Sequence, residues 1–335
     1  VDMHGIQTSG NCIRNITSDA LAGVAPDEIV DPRPYCEVLR QWSTLHPEFA
    51  FLPRKFKIAV SGANEDRAAI AWHDIGLQLA KNAAGEIGFR VLVGGGMGRT
   101  PIIASTIREF LPWQEILLFI EAIVRVYNRY GRRDNAYKAR IKILVKAEGQ
   151  KYFDAVEAEF ARILAEDVGG AVHLIPQAEF DRIAAGFARP TGVAALPEAA
   201  PEADAPLAYR RWLERNVHAH QVSGYRAVTL SLKRASLPPG DCTAEQMDAA
   251  AELADARRTV AATSRAGFGV AVRSKYPSSI DVISTSGVKS CGYENIHRLN
   301  CSYRSKSPGN TMSFGHSRRA CTVGMGVYTP IFRAS

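Results

Sequence analysis

Cationic side chains concentrated in three segments are the residues of this sequence best suited to chemistry. The longest segment, 125–146 (RVYNRYGRRDNAYKARIKILVK), has eight lysines and arginines against one acid, Asp134. Such a run is typical of a solvated helical face. It also fits a site for a multiply anionic ligand, because guanidinium groups bind carboxylates and phosphates through paired hydrogen bonds. The eight cations are Arg125, Arg129, Arg132, Arg133, Lys138, Arg140, Lys142 and Lys146.

Two shorter segments add cations to polar surroundings. Residues 52–57 (LPRKFK) place Lys55 and Lys57 two positions apart, so in a strand both point to the same side and can converge on one small anion. Lysines at this spacing also serve to protect sheet edges. Residues 7–15 (QTSGNCIRN) form a polar run that is typical of a turn, or that cradles an anion or cofactor through Arg14 and its asparagine neighbours.

Several common catalytic motifs are missing from the sequence. The glycine-rich segment 94–100 (GGGMGRT) has glycines at every second position and does not match the dinucleotide-binding spacing, so it indicates a backbone turn close to a bulky ligand. The histidines have no metal-ligand spacing. The six cysteines form no CxxC pair and are expected to be free thiols.

The elements that position these cations follow from the hydrophobic pattern. Residues 56–62 and 89–94 are short β-prone runs that end in glycine, and the alanine-rich stretch 67–81 between them has a helical pattern. Three further helices are predicted, one opened by Pro112 with apolar residues over 116–127, one over 136–146 and one over 152–166. This order favours an α+β or βαβ-like fold.

Composition divides the chain into four regions. Residues 1–188 form the α/β unit, and 189–206, rich in Pro, Ala and Glu, form a linker. Residues 207–255 open a second unit, with a strand over 226–232 and a capping box from Thr243 to Gln246 at the start of a helix. Residues 256–335 lack periodicity and are predicted to be loop or disorder.

The net charge is concentrated in the last of these regions. The 335 residues carry +7, and 46% are hydrophobic, which excludes a wholly disordered chain. Residues 256–335 hold 12 bases and two acids, a net of +10, so the preceding 255 residues carry −3. The basic balance that suggests nucleic acid or a membrane surface therefore comes from the tail alone. With no export leader and no long apolar stretch, we expect a cytoplasmic protein that contacts no membrane.

Four segments in sequence order resemble the sirohaem-dependent nitrite/sulfite reductase family. They are TSGNCIRN (8–15), FLPRKFKIAVSG (51–62), VGGGMGRTP (93–101) and VYNRYGRRDNAYKARIKILV (126–145), and residues 224–254 resemble the beginning of a second ferredoxin-like half-domain. The resemblance implies an α+β fold in which a sirohaem/4Fe-4S-type domain over 1–188 precedes the start of that half-domain over 207–255. It also implies a fragment that lacks family sequence at both ends.

The resemblance implies a reductase that converts sulfite to sulfide, or nitrite to ammonia, by multi-electron reduction on sirohaem coupled to a 4Fe-4S cluster. Arg14, Lys55 and Lys57 match the residues that bind the anion and supply protons. An electron donor, either ferredoxin or a flavoprotein reductase, is the implied partner. The residues assigned to the cofactor's surroundings are Asn11, Arg54, Arg132, Arg133, Lys138, Arg140 and Lys142.

Two departures from the family leave other functions open. The family binds its cluster through C-x5-C and C-x3-C pairs, and Cys291, Cys301 and Cys321 match neither. The tail from residue 256 does not align and is interpreted as out of frame or otherwise foreign to the fold. The alternatives are an inactive remnant that only binds anions or tetrapyrrole, and a basic nucleic-acid-binding module. The second is disfavoured because the tail has no RNA-binding motif.

Overall fold

The computed structural model describes residues 9–166, 174–187, 206–222, 226–229, 243–246, 248–249, 270–273, 279–282 and 326–327. These residues fall into two compact units. The larger unit holds 9–23, the described residues of 27–187, and 326–327, and the smaller holds 24–26 and the described residues from 206 to 282. The predicted linker, apart from Pro206, and most of the predicted tail lie outside the described residues.

A mixed six-stranded sheet forms the centre of the larger unit, with the strand order β10-β1-β2-β3-β4-β5. Strands β1, β2 and β3 are parallel, and β3, β4 and β5 follow each other as antiparallel neighbours. The strands of the chain are β1 (Ile13–Ser18), β2 (Phe56–Ser61), β3 (Ile75–Lys81), β4 (Ile87–Val93), β5 (Ser105–Pro112), β6 (Val217–Ala219), β7 (Arg226–Val228), β8 (Val270–Arg273), β9 (Ser279–Val282) and β10 (Gly326–Val327).

Helices cover one face of this sheet, which confirms the α+β class. Alternate residues of β1 to β5, among them Phe56, Ile58 and Leu77, pack in one core cluster with residues of α1, α2, α4 and α5. The other face carries only a small cluster around Ala59 and Leu92. The helices are α1 (Arg33–Ser43), α2 (Ile116–Tyr130), α3 (Ile141–Glu148), α4 (Gln150–Glu166), α5 (Gln177–Ala184) and α6 (Leu207–Asn216).

The prediction of a helix over 67–81 is wrong. A 3-10 turn covers Ile70–Trp72, and Ile75–Lys81 is strand β3. Ile75, Leu77 and Leu79 alternate along the strand into the core, and this period of two describes the segment better than the helical spacing. The side chain of Asn82 accepts the backbone N–H groups of Ala84 and Glu86, and closes the hairpin into β4.

The other predicted helices and strands are confirmed where the structure describes them, but the tail predicted to be loop or disorder contains the strands β8, β9 and β10. Helix α2 begins at Ile116 after a 3-10 turn that follows Pro112, and α4 covers the predicted 152–166. The helix predicted over 136–146 begins later, at Ile141, because 131–140 is irregular.

The smaller unit opens with a helix and a strand that the sequence analysis does not predict, and its predicted strand and capping box follow. Helix α6 leads into β6, which pairs antiparallel with β7. The backbone N–H of Thr243 donates to Gln246 Oε1 at 3.0 Å, and the N–H of Gln246 donates to Thr243 Oγ1 at 3.2 Å, so the capping box is formed. Residues 230–232 of the predicted strand lie outside the described residues, and the ferredoxin-like assignment stays a prediction. None of the described helices has the length and apolarity to cross a bilayer.

Candidate functional site

A β-bulge at the start of β1 places Arg14 beside β2. Ile13 pairs with Phe56 and Asn15 pairs with Lys57, so Arg14 is an extra residue between the two pairs. Ile13 and Phe56 are buried in the core, and Ile16 returns to the core one position after Asn15. The bulge therefore turns both Arg14 and Asn15 to the face of Lys57, away from the helices.

Asn15 shows that this face has an unsatisfied polar group. Its Oδ1 atom is buried and has no hydrogen-bond partner among the described residues. A buried carbonyl oxygen without a partner is costly and is expected to be satisfied by a bound group. Next to it, Arg14 Nε donates to the carbonyl of Gly10 at 2.8 Å, which fixes the orientation of its guanidinium group.

The polar run before β1 is joined to the basic run before β2. The N–H of Leu52 donates to the carbonyl of Asn11 at 2.8 Å, and the N–H of Phe56 donates to the carbonyl of Cys12 at 2.9 Å. Asn11 Nδ2 lies 3.5 Å from the carbonyl of Pro53. Two segments that are 40 residues apart in sequence therefore meet where the neighbouring strands β1 and β2 begin. The predicted residues Asn11 and Lys55 are brought near Arg14 and Lys57 there.

A buried carboxylate, Asp74, stands where these segments meet the end of the sheet. Its side chain is fully buried; Oδ2 accepts the backbone N–H of Lys57 at 2.9 Å, and Oδ1 accepts Arg140 Nε at 3.0 Å and Nη2 at 2.7 Å. Its carbonyl accepts the N–H of Gly94 at 3.0 Å. Burial raises the pKa of the Asp74 carboxyl to about 6, and the Arg140 guanidinium opposes that rise. Sequence reasoning did not identify Asp74, although an acid directly before an alternating apolar strand is a visible signal.

Lys142 supports the glycine-rich turn through hydrogen bonds to its backbone. This lysine is buried, and its Nζ donates to the carbonyl groups of Met97 at 2.8 Å and Thr100 at 2.7 Å, with that of Gly96 at 3.4 Å. Burial lowers the pKa of Lys142, and the neighbouring Arg140 lowers it further. A Cβ at Gly96 would lie 2.8 Å from Lys142 Cδ, so any larger residue there would have to displace the Lys142 side chain. Lys142 thus supports the turn, and its donors are directed at backbone.

The long basic segment is divided between two places. Arg125 and Arg129 lie on α2 and pair with glutamates: Glu159, which is buried, is within 3.5 Å of both, and Arg125 also pairs with Glu48 and Glu121. Arg162 on α4 joins this network through Glu159. We call these residues the ion-pair network. The first half of the segment is therefore balanced by acids, two of which are buried, and it is not a fully solvated helical face.

The second half of the segment points elsewhere. Arg140 pairs with Asp74, Arg132 pairs with Asp134 next to it, and Arg133 donates to the carbonyl of Phe51 at 3.0 Å and to Asn128. Lys138 and Arg54 are exposed. The residues of the loop 131–140 therefore run alongside the basic run 51–57 without a network of buried acids around them.

Exposed apolar side chains lie on the same segments as these cations. Phe51 is 80% exposed, Met97 59% and Tyr137 88%, and Trp72 is half exposed beside His73. Single exposed apolar side chains are ordinary on protein surfaces, and these four are named because they lie on the same segments as the cations. We call residues 9–15, 51–57, 72–74, 94–100 and 131–142 the site segments.

The site segments fit sirohaem better than an iron–sulfur cluster. Cations and exposed apolar groups suit a flat macrocycle with peripheral carboxylates, whereas the unpaired Asn15 Oδ1 needs a hydrogen-bond donor. Of the described cysteines, Cys12 is half-buried and Cys36 is fully buried, and burial raises the pKa of both thiols. In the part of the chain that the structure describes, no group of three potential metal ligands occurs, so no cluster site is assigned.

The comparisons with known proteins match the part of the chain that contains the site segments. Residues 9–163 match the model of the "Nitrite and sulphite reductase 4Fe-4S domain" family. "Sulfite reductase [ferredoxin] 1" of Mycolicibacterium paratuberculosis is 35% identical over 160 residues, which cover 47% of this chain and 28% of that protein. "Sulfite reductase [ferredoxin]" of Synechococcus elongatus is 40% identical over 34% of this chain and 20% of that protein.

Nitrite reductases are also among the relatives. "Ferredoxin--nitrite reductase, chloroplastic" of Arabidopsis thaliana is 30% identical over 46% of this chain and 27% of that protein. The solved structure of the Mycobacterium tuberculosis NirA protein aligns with a TM-score of 0.43 at 31% identity, over 46% of this chain and 28% of that chain. In each case the chain spans less than a third of the length of the relative.

Proposed function

We propose that the chain belongs, through residues 9–163, to the nitrite and sulphite reductase 4Fe-4S domain family whose model matches there, and that its site segments bind sirohaem and a sulfite or nitrite anion. The activity proposed for the protein is multi-electron reduction of that anion, to sulfide or to ammonia. Relatives named sulfite reductase and nitrite reductase both match, so the substrate class is a small oxyanion of sulfur or nitrogen.

The observation that carries the proposal is the bulge in β1. It places the Arg14 guanidinium and the unsatisfied Asn15 Oδ1 on the same face as Lys57. Arg14 offers guanidinium donors for an oxyanion, while Lys57 offers a compact ammonium. This combination of cations supports an anion site at the N-terminal ends of β1 and β2.

The side chains of the chain would carry out two tasks in the reaction. Reduction of an oxyanion releases its oxygens as water, so protons must reach those oxygens as electrons arrive. Arg14 holds the negative charge and is always protonated. Lys55 and Lys57, each half-buried at the start of β2, are the groups that deliver protons. Preorganised cations also stabilise charge that develops on the anion.

The second part of the proposal concerns the cations outside strands β1 and β2, which would bind the cofactor. Sirohaem, when bound, supplies the iron that binds the anion and passes electrons to it. Arg54, Lys138 and Arg132 are exposed around the site segments and would hold its carboxylates, together with Asn11 and Arg133. Arg140 and Lys142 were assigned the same contact by resemblance; their donors are directed at Asp74 and at the glycine turn, so we propose that they shape the cofactor's surroundings.

The electron donor is proposed from the relatives alone. Several are named as ferredoxin-dependent enzymes, which favours ferredoxin over a flavoprotein reductase as the donor for this chain. No feature of the described residues favours binding of nucleic acid.

Sirohaem binding tests the proposal directly. The purified chain is titrated with sirohaem under anaerobic conditions while its absorption spectrum is followed, and sulfite or nitrite is then added. We expect saturable binding and an anion-dependent shift of the bands, with the shift weakened at least tenfold in concentration in Lys57→Met. A spectrum unchanged by the chain would contradict the proposal. Binding without dye-dependent reduction of either anion would favour the inactive remnant.

A further inference from the structure

Asp74 joins three parts of the site and has no counterpart among the residues assigned by resemblance. It directly precedes β3, and its two carboxylate oxygens are directed to different segments, one to the backbone N–H of Lys57 and the other to Arg140. Its backbone carbonyl accepts from Gly94, where the glycine turn begins. The side chain is entirely buried.

We propose that Asp74 is a positioning residue that ties the backbone of Lys57 to the Arg140 guanidinium in the anion and cofactor site and adds a negative charge beside both cations. The inference rests on the proposed function for the identity of the bound groups. The positioning itself rests on contacts of the described residues and is tested separately below.

The place of Asp74 in the sheet explains why a carboxylate is needed. The parallel ladder between β2 and β3 begins at the pair Ile58 and Ile75. Lys57 and Asp74 therefore lie just before the first pair of the ladder. There the Asp74 carboxylate takes the position of a strand carbonyl and satisfies the Lys57 N–H at 2.9 Å. A neutral side chain with one acceptor cannot serve both this N–H and the two N–H groups of Arg140.

Charge gives a second reason. Burial lowers the pKa of His73, and the positive charges of Lys57 and Arg140 lower it further. Three basic groups therefore lie close together beside one buried carboxylate. Without its negative charge, Arg140 and Lys57 repel each other and the Lys57 ammonium form is disfavoured. Asp74 thus keeps two cations at the same site while leaving their outer surface for a ligand.

The first experiment measures Lys57 itself and needs no cofactor. The full chain is treated with a limiting amine-acylating ester at several pH values, and acylation of individual lysines is followed by mass spectrometry. Lys81, which is exposed at the far end of β3, serves as the internal reference. In Asp74→Asn we expect Lys57 to be acylated about threefold faster relative to Lys81, because a larger fraction of its amine is neutral.

Two controls separate positioning from loss of structure. Glu159→Gln removes another buried, arginine-paired carboxyl, in the ion-pair network, and is expected to leave the Lys57 to Lys81 ratio unchanged. Asp74→Glu keeps the charge and is expected to restore at least part of the wild-type ratio. If Asp74→Asn does not fold, Arg140→Gln breaks the same contact from the partner's side and is expected to shift the ratio in the opposite direction.

The second experiment links the positioning to the proposed ligand. Sirohaem titrations are carried out for wild type, Asp74→Asn, Arg140→Gln and the double variant. We expect each single change to weaken affinity by roughly tenfold, and the double change to be clearly less than the product of the two, because both act through one contact.

The outcomes distinguish this inference from the function on which it rests. An unchanged Lys57 to Lys81 ratio in Asp74→Asn, or an equal change in Glu159→Gln, overturns the positioning role. Fully multiplicative losses in the sirohaem titrations also overturn it. A wild-type chain that binds no sirohaem, but shows the expected shift in acylation, overturns the proposed function and supports the positioning of Lys57 by Asp74.

Discussion

The two halves of the basic segment 125–146 have opposite surroundings. Arg125 and Arg129, in the first half, lie among glutamates of α2, α4 and the turn at Glu48. In the second half, Arg133 and Lys142 donate to backbone carbonyls, and Arg140 pairs with one buried acid. Cations of one sequence segment therefore have two uses in the fold, a balanced network that ties helices together and a frame around the proposed anion-binding site.

Removing the centre of the ion-pair network is expected to have the largest effect on stability. Glu159 is 5% exposed and contacts three arginines that are themselves partly exposed. Glu159→Gln leaves those cations without their shared partner and should lower the free energy of unfolding by about 2 kcal/mol, toward the low end for a buried pair. Urea unfolding of the full chain measures this.

The matched control for that variant is an exposed pair. Glu179 and Arg182 on α5 are both more than 40% exposed, so Glu179→Gln should cost less than about 0.5 kcal/mol. Equal effects of the two variants would show that the network is no more than a surface feature and would remove the distinction between the two halves.

The glycine turn sharpens the comparison from the other half. Lys142→Met removes the donors for the carbonyls of Met97 and Thr100, and we expect a loss of about 1–2 kcal/mol that is localised to the turn. Limited trypsin treatment measures it, since Arg99 is exposed within the turn. Cleavage after Arg99 should accelerate in Lys142→Met and stay at the wild-type rate in Lys146→Met, whose lysine is exposed on the same helix.

Two glutamates that differ in their partners should respond oppositely to pH. Arginines hold the pKa of Glu159 below its usual range, so its contribution to stability is present at neutral pH and is lost as pH falls through its folded pKa. Burial raises the pKa of Glu28 to about 7. The folded state therefore binds a proton that the unfolded state lacks, and the stabilisation, complete below about pH 4.5, is lost as pH rises through 7.

The substitution Glu28→Gln tests the raised pKa of Glu28 and has the smallest expected effect on stability. At pH 8 the variant should be about 1 kcal/mol more stable than wild type, after allowance for the partial exposure of Glu28. At pH 4.5 the two proteins should have equal stability. Urea midpoints at both pH values give the answer, and a constant difference across this range would contradict the raised pKa of Glu28.

The sequence predicts the class of the fold, and the assignment of the site residues stays a prediction. Periodicity correctly gave β2, β4, α2, α3 and α4, since their apolar positions are decided locally, but it did not give α1 or α5. It failed for 67–81, where alanines give a helical pattern but Ile75, Leu77 and Leu79 alternate into the core. Two of the three partners of Arg125, Glu48 and Glu159, lie 77 and 34 residues away, so a local window shows only Glu121.

Geometry that depends on two strands was equally hidden. The bulge that turns Arg14 toward Lys57 arises from the register of β1 against β2, and a single segment carries no sign of it. Asp74 likewise acquires its importance from Lys57, Gly94 and Arg140, which come from three other elements.

The most direct test of the division between the two halves is sirohaem affinity in two double variants. Absorbance titrations compare wild type with Arg132→Gln/Lys138→Met in the second half, where both side chains are exposed, and with Arg125→Gln/Arg129→Gln in the network. We predict a loss of roughly 100-fold for the first, as expected for two charge-assisted contacts, and a change of less than about twofold for the second. Equal losses in the two variants, or a larger loss from the network variant, would contradict the assignment of the site.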